Sequence, residues 1–182
     1  PYLYKENGFK EKAYAEKLIQ ELSVSQPLQC TVEKIERKKE NRNPPLLFNL
    51  AELQNVCSKL FKISPDETLQ VAQDLYERKL TTYPRTDARV LSTPVAKEIH
   101  KNISRLRGYE PTSDFVEQIL DRKLYGNIAG TQYTDDAKVT DHYAIIPTGQ
   151  LTELGKLNAL QKSVFDLIAV SYTHLRAHET TL

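Results

Sequence analysis

The sequence predicts a mainly α-helical chain with a small β contribution close to its N-terminus. Apolar residues recur at helical spacing in several separate stretches. Two of those stretches open on a serine or threonine followed by proline, a helix-start signal. Only residues 28–37 (LQCTVEKIER) partly alternate in the two-residue pattern of a strand.

Residues 8–23 (GFKEKAYAEKLIQELS) read as an amphipathic helix with Ala13, Leu18, Ile19 and Leu22 as its apolar points. Pro27 ends that pattern, and the strand-like residues 28–37 follow. A polar run, KKENRNPP, then closes on Pro44 and Pro45, which exclude helix and mark a domain or subdomain boundary. Leu53, Val56, Cys57, Leu60 and Phe61 form one buried helical stripe. In ISPDET, Ser64 can cap, Pro65 suits the first helical position, and Glu67 completes a capping box. That helix is expected to reach about Lys79 and to bury Leu69, Ala72, Leu75 and Tyr76. STPVAKEIHKNISRLR repeats the device, with Ser92 or Thr93 as cap and Val95, Ile99, Ile103 and Leu106 as its stripe. A short helix is expected at 113–120, polar irregular chain at 121–141, and a buried strand or extended loop at HYAIIPTG. A last helix from about Thr152 would bury Leu157, Leu160, Val164 and Ile168.

The ending, SYTHLRAHETTL, differs from the rest. The apolar stripe is expected to stop before it, and it resembles translated adapter sequence, so residues 171–182 are expected to be a non-native tail. His174 and His178 have metal-like spacing there, but nothing nearby would complete a site.

Hydrophobic residues make up 40% of the chain and charged residues 27%, which suits a soluble globular protein. No apolar run is long enough to span a membrane. The first residues, PYLYKENGF, lack a signal-peptide pattern, and with no methionine anywhere the chain reads as a piece of something longer. Cys30 and Cys57 are too few for a disulfide framework, and Cys57 reads as a small core residue; a reducing cytoplasm fits. The net charge of +1 does not announce nucleic-acid binding, so any such surface must be local. ERKLTTYPRTDAR, residues 77–89, sets Arg78, Lys79, Arg85 and Arg89 against Glu77 and Asp87.

Within that run, Tyr83 precedes Pro84 and is pushed to extended geometry. Tyr83, Arg85 and Asp87 should therefore project to the same side. A guanidinium is a planar fork of donors that matches phosphate oxygens. A phenol beside it suits attack on a phosphodiester, with the arginine neutralising charge in the transition state. Asp87 could hold Arg85 or Arg89 in place.

TTYPRTDAR resembles the active-site signature of the type IA DNA topoisomerases, Thr-Tyr-x-Arg-Thr-Asp-Ser, and its proline is more like the topoisomerase III branch. PPLLFNLAELQ (44–54) looks like the start of that family's tyrosine-bearing domain. KVTDHYAIIPT (138–148) is similar to its Ala-His-x-Ala-Ile-x-Pro-Thr/Ser element. The resemblance implies the helical tyrosine-bearing domain of a toroidal enzyme over residues 46–170, with a partial base/arch-domain segment at 1–45. It implies cleavage of one DNA strand through a 5′-phosphotyrosine, strand passage and religation without ATP, so relaxing or decatenating DNA. Tyr83 would be the nucleophile and Arg85 the group that positions the scissile phosphate. His142 would contact DNA beside that phosphate, Thr86 and Asp87 would support it, and Lys138 would be a further phosphate contact. Ala88 stands where the signature has serine, and Asp141 where many members have alanine, which weakens any role for those side chains.

The resemblance further implies Mg²⁺, with ligands from a Toprim domain outside this chain; no Asp-x-Asp occurs here, and Asp135-Asp136 read as solvated loop residues. Implied partners are single-stranded or underwound DNA, and the Toprim and remaining arch/base domains of the same polypeptide; the stretch alone is expected to be inactive. A tyrosine recombinase is disfavoured because no His-x-x-Arg element precedes a C-terminal tyrosine. The alternative is a non-catalytic helical DNA-binding or interaction module in which Tyr83 only packs.

Overall fold

The structure, a computed structural model, describes residues 8–9, 11–24, 31–36 and 44–177. The chain divides into two compact units, Pro1–Asn41 and Arg42–Leu182.

In the first unit, α1 (Lys12–Ser23) starts later than the periodicity suggests and buries none of its residues. Its apolar points are open: Ile19 is 63% exposed and Leu22 45%. The strand expected over 28–37 is not formed at residues 31–36, where Val32 and Ile35 are exposed. Alternation alone does not make a strand; its N–H and C=O groups need a neighbouring edge. Residues 28–30 and 37 lie outside the described residues.

The second unit is helical: α2 (Leu50–Phe61), α3 (Pro65–Glu77), α4 (Thr93–Arg105), α5 (Ser113–Asp121) and α6 (Ala159–Ala177). Its start signals act as the local chemistry dictates. The Ser64 side chain accepts from the Glu67 N–H at 3.1 Å, and Pro65 takes the first position of α3. Asn49 caps α2 by accepting from the Glu52 N–H at 2.9 Å. The start of α6 lies beyond the expected Thr152, because a reciprocal capping box defines it, whereas at α3 only the Ser64 half of the expected box is made. Asn158 Oδ1 accepts from the Gln161 N–H at 2.8 Å, and Gln161 Oε1 accepts from the Asn158 N–H at 3.0 Å. Helix α4 departs from expectation: Ser92 makes no side-chain cap. Asp136 caps it instead from 43 residues away, accepting from Thr93 N and Thr93 Oγ1, both at 2.7 Å.

Two hydrophobic clusters fill the unit. One gathers Ile99 and Ile103 of α4, Val116 and Ile119 of α5, and Ile128 and Tyr133 of the loop beyond. The other gathers Leu53 and Cys57 of α2, Val71, Ala72 and Leu75 of α3, and Val164, Phe165 and Ile168 of α6. The seam between them is extended chain, whose two-residue repeat feeds both sides. Leu47 enters the first cluster and Phe48 the second; Ala144 and Ile146 enter the first, Ile145 the second. HYAIIPTG is thus an extended buried segment, pinned by isolated antiparallel bridges Phe48–Ile145 and Thr81–Pro147 rather than by a continuous strand. Gly149 ends it at φ +81°, where an added Cβ would lie 2.5 Å from Arg105 Cβ, so only glycine fits.

Three expectations need correction. Leu60 is 60% exposed and Tyr76 39%, because each lies at the margin of its helix's stripe; Thr68 and Val71 complete the buried face of α3. The apolar stripe of α6 does not stop at residue 170: Tyr172 and Thr173 are buried, and His174 packs edge-on against Phe115 at 4.4 Å. Asp135 and Asp136 are not idle loop carboxylates: besides the Asp136 cap, Asp135 accepts from the Ala137 N–H and pairs with Lys138 at 2.8 Å. Residues 178–182, with His178, lie outside the described residues.

Candidate active site

The segment that carries Tyr83 begins where α3 stops. Lys79 turns into the left-handed region at φ 61°, its N–H bonded to the Tyr76 carbonyl at 2.8 Å. Leu80 N–H then closes on the Leu75 carbonyl at 2.9 Å, and the fully buried Leu80 anchors the new direction. From there the chain is non-helical, bending at Thr82 and Pro84 before it runs on through 85–89, and burial alternates along it. Pro84, Thr86 and Ala88 are buried; Arg85 and Asp87 are exposed, with Tyr83 half-buried between. The bend at Pro84 interrupts the two-residue repeat expected across Tyr83, Arg85 and Asp87, and the three have in common that none of them is buried.

Two threonines on this segment hold the 142–148 segment against it. Thr82 Oγ1 donates to the Ala144 carbonyl at 3.0 Å and accepts from the Ile146 N–H at 2.9 Å. Thr86 Oγ1 donates to the His142 carbonyl at 3.0 Å and accepts from the Ala88 N–H at 3.1 Å. This stitching sets the His142 ring on Tyr83, centroid to centroid 4.4 Å at a 42° tilt. Tyr76, from the last turn of α3, meets Tyr83 edge-on at 5.4 Å and 80°. The remaining side of the segment is tied to α2, where the Asn49 Nδ2 donates to the Asp87 carbonyl at 3.0 Å.

The two arginines of the motif differ. Arg89 Nε donates to the Leu47 carbonyl at 3.0 Å, its terminal nitrogen donates to the Leu46 carbonyl at 3.2 Å, and it faces Glu52 at 3.8 Å. Arg85 is exposed and makes no hydrogen bond or ion pair among the described residues. The expectation that Asp87 holds one of them is corrected: Glu52 and two carbonyls hold Arg89, and Asp87 pairs with neither. The side chain of Thr86 faces inward and its hydroxyl is fully engaged. Lys138 is exposed and paired to Asp135, whose carboxyl is held below the usual range by Lys138.

Of the residues singled out in the sequence, the structure brings Tyr83 and His142 into contact, and four others that sequence reasoning missed shape this region. Thr82 and Arg89 sit inside the quoted motif without a visible role in one dimension. Asn49 was legible as a polar residue directly before an apolar helical run. Tyr76 was assigned to the core. Among the described residues no three His, Cys, Asp or Glu side chains gather where a metal ion could be held. No helix among them is long and apolar enough to cross a membrane. Away from the site, burial pushes the Cys57 thiol up to about 11, against a partly offsetting hydrogen bond with Thr68, as suits a core cysteine.

Residues 3–178 match the DNA topoisomerase family. The chain is 40% identical over 144 residues to DNA topoisomerase 3 of Bacillus subtilis, covering 78% of this chain and 19% of that protein. It is 42% identical over 126 residues to DNA topoisomerase 3 of Bacillus licheniformis, covering 69% of this chain and 17% of that protein. A third relative, DNA topoisomerase 3 of Bacillus cereus, is 33% identical over 140 residues, or 76% of this chain and 19% of its own length. The chain thus spans less than a fifth of the length of these relatives. With the Tyr83 signature and the His142 element set side by side in the fold, the match over nearly the whole chain makes this protein a member of the type IA DNA topoisomerases, in their topoisomerase III family.

Proposed function

We propose that this chain carries the nucleophile of an ATP-independent topoisomerase that cuts one DNA strand, passes another through the gap and reseals it. The observation that carries the reading is the meeting of Tyr83 and His142 beside an arginine with no partner of its own among the described residues. In the proposed step, Tyr83 Oη attacks the scissile phosphorus and loses its proton. The bond from phosphorus to the 3′ oxygen breaks, and that oxygen takes up a proton as a free 3′-hydroxyl. The 5′-phosphate stays on the tyrosine as a diester. Religation is the reverse: the 3′ oxygen attacks phosphorus and expels the phenol. One phosphodiester replaces another at each stage, so no ATP is needed.

Arg85 supplies the fork of donors that holds the phosphate and neutralises the charge growing on its oxygens. His142 packs against the Tyr83 ring from the opposite segment, and its imidazole is the proposed DNA contact beside the scissile phosphate. Thr86 acts by fixing the His142 carbonyl, and the exposed Asp87 and Lys138 are proposed as outer DNA contacts. The DNA is single-stranded or underwound, since passing a strand through a gap in one strand requires the two strands of a duplex to be locally apart. Mg²⁺ belongs to the full polypeptide, in its Toprim domain. The residues described here do not fit an ion: the adjacent Asp135 and Asp136 are engaged by Lys138 and Thr93. Toprim, arch and base domains complete the site, DNA-associated in the cytoplasm, and the stretch alone is inactive.

The test uses the full-length polypeptide with negatively supercoiled plasmid and Mg²⁺. Relaxation and a labelled protein–oligonucleotide adduct on denaturing gels are expected, and both should vanish in Tyr83→Phe. An adduct that survives this substitution excludes Tyr83 as nucleophile and leaves the helical DNA-binding module as the better reading.

A further inference from the structure

Tyr76 does not belong to the buried face of α3. That face is Thr68, Val71, Ala72 and Leu75, and Tyr76 stands beside it with 39% of its surface exposed. Its ring is nonetheless placed with care. The Tyr76 carbonyl receives the Lys79 N–H at 2.8 Å, within the left-handed turn that ends the helix. This turn fixes the offset between the last turn of α3 and the extended segment. Seven residues on, the Tyr83 ring meets Tyr76 edge-on at 5.4 Å and 80°. His142 covers Tyr83 at 4.4 Å from a third segment. The Tyr83 ring therefore meets two rings on independent elements, and packing of this kind restricts the positions its side chain can take.

We propose that Tyr76 is a positioning residue for Tyr83: contact between the two rings limits the swing of the Tyr83 side chain about its Cα–Cβ bond and so keeps Oη directed at the scissile phosphate. This rests on the reading of Tyr83 as nucleophile. The contact is made by the ring and not by the Tyr76 hydroxyl, for which no hydrogen bond is present among the described residues. Phenylalanine should therefore serve as well as tyrosine, whereas a side chain without an aromatic edge should not. Misplacement of a reacting atom slows the chemical step more than it weakens binding.

The experiment measures single-turnover cleavage of a labelled single-stranded oligonucleotide at saturating concentration, alongside its Kd, in the full-length polypeptide. Tyr76→Leu and Tyr76→Ala should slow cleavage roughly 3- to 10-fold, the scale of one aromatic pair, with Kd unchanged. Tyr76→Phe should restore the rate. Because the residue is exposed, Tyr76→Leu keeps helix-forming bulk and guards against a folding defect in the alanine variant. A wild-type rate in Tyr76→Leu overturns the proposal. So does a loss confined to Kd, which would make Tyr76 a DNA contact, or an equal loss in Tyr76→Phe, which would assign the role to the hydroxyl. A failure of the underlying reading looks different: the adduct would persist in Tyr83→Phe, whatever the Tyr76 variants do.

Discussion

The two sides of the extended segment at 82–89 are made from neighbouring residues and do opposite things. On the inner side, Thr82 and Thr86 each donate one hydrogen bond and accept another, all to the chain between Ala88 and Ile146. On the outer side, Arg85 reaches no partner among the described residues. Arg89 shows that this is not how an arginine must behave here: four positions on, it is bonded to Leu46, Leu47 and Glu52. The difference teaches which polar groups build the site and which are left for a ligand. Alternation alone would treat Arg85 and Arg89 alike, so the contrast between them comes from what each can reach: Arg89 meets the 46–52 stretch and Arg85 does not.

Swapping the two arginines for alanine is the sharpest way to break that division. Arg85→Ala should leave denaturant stability of residues 42–182 within about 0.5 kcal/mol, as for an exposed side chain without partners. The same change in the full-length polypeptide should slow cleavage by roughly two orders of magnitude, on the order of 3 kcal/mol of transition-state stabilisation. Arg89→Ala should do the reverse, lowering stability by about 1.5 kcal/mol through lost charge-assisted bonds to backbone carbonyls. Single-turnover kinetics and urea midpoints measured on both variants decide it. Equal effects of the two substitutions on both quantities would erase the distinction.

Thr86→Val tests the inner side alone. Valine keeps the shape but strands the Ala88 N–H and the His142 carbonyl, two groups that Thr86 Oγ1 now satisfies. A destabilisation of about 1–2 kcal/mol in urea is expected. Cleavage should slow as well, since His142 loses its tether opposite Tyr83. A variant as stable as wild type would show that water replaces the hydroxyl without loss.

What was legible in the sequence was local. Ser64, Pro65 and Glu67 announce α3 because a cap needs only neighbouring backbone. A common side for Tyr83, Arg85 and Asp87 was expected from extended chain around Pro84, but the chain bends there, which a two-residue repeat does not foresee. His142 was reached only through its motif: no periodicity says that residue 142 will lie on residue 83. Tyr76 was misassigned because it lies one helical turn beyond the buried Ala72, and spacing alone does not say where the stripe ends. The strand at 28–37 failed for a related reason, since pairing is decided by an edge that alternation does not name. The cap of α4 was the least visible of all, supplied by Asp136 to Thr93 across 43 residues of sequence.

That distant cap also supplies the smallest effect, and it extends the contrast between engaged and available groups to the carboxylates. The Asp136 carboxyl is held below its usual 3.8, first by the hydrogen bond from the Thr93 hydroxyl and then by that from the Thr93 N–H; Lys97 assists, and Asp135 opposes. A depressed carboxyl contributes stability that is fully present above its unfolded value near 3.8 and is lost as pH falls through the lower folded value. Asp136→Asn can still accept from the Thr93 N–H but carries no charge at the N-terminus of α4. Hydrogen exchange of peptides covering 91–97 should therefore show the wild type modestly better protected at pH 7. The gap between the two proteins should close as pH falls below 3.8, because comparison at each pH cancels the intrinsic pH dependence of exchange. A gap of constant size across that range would mean that the carboxylate's charge contributes nothing and that geometry alone caps the helix.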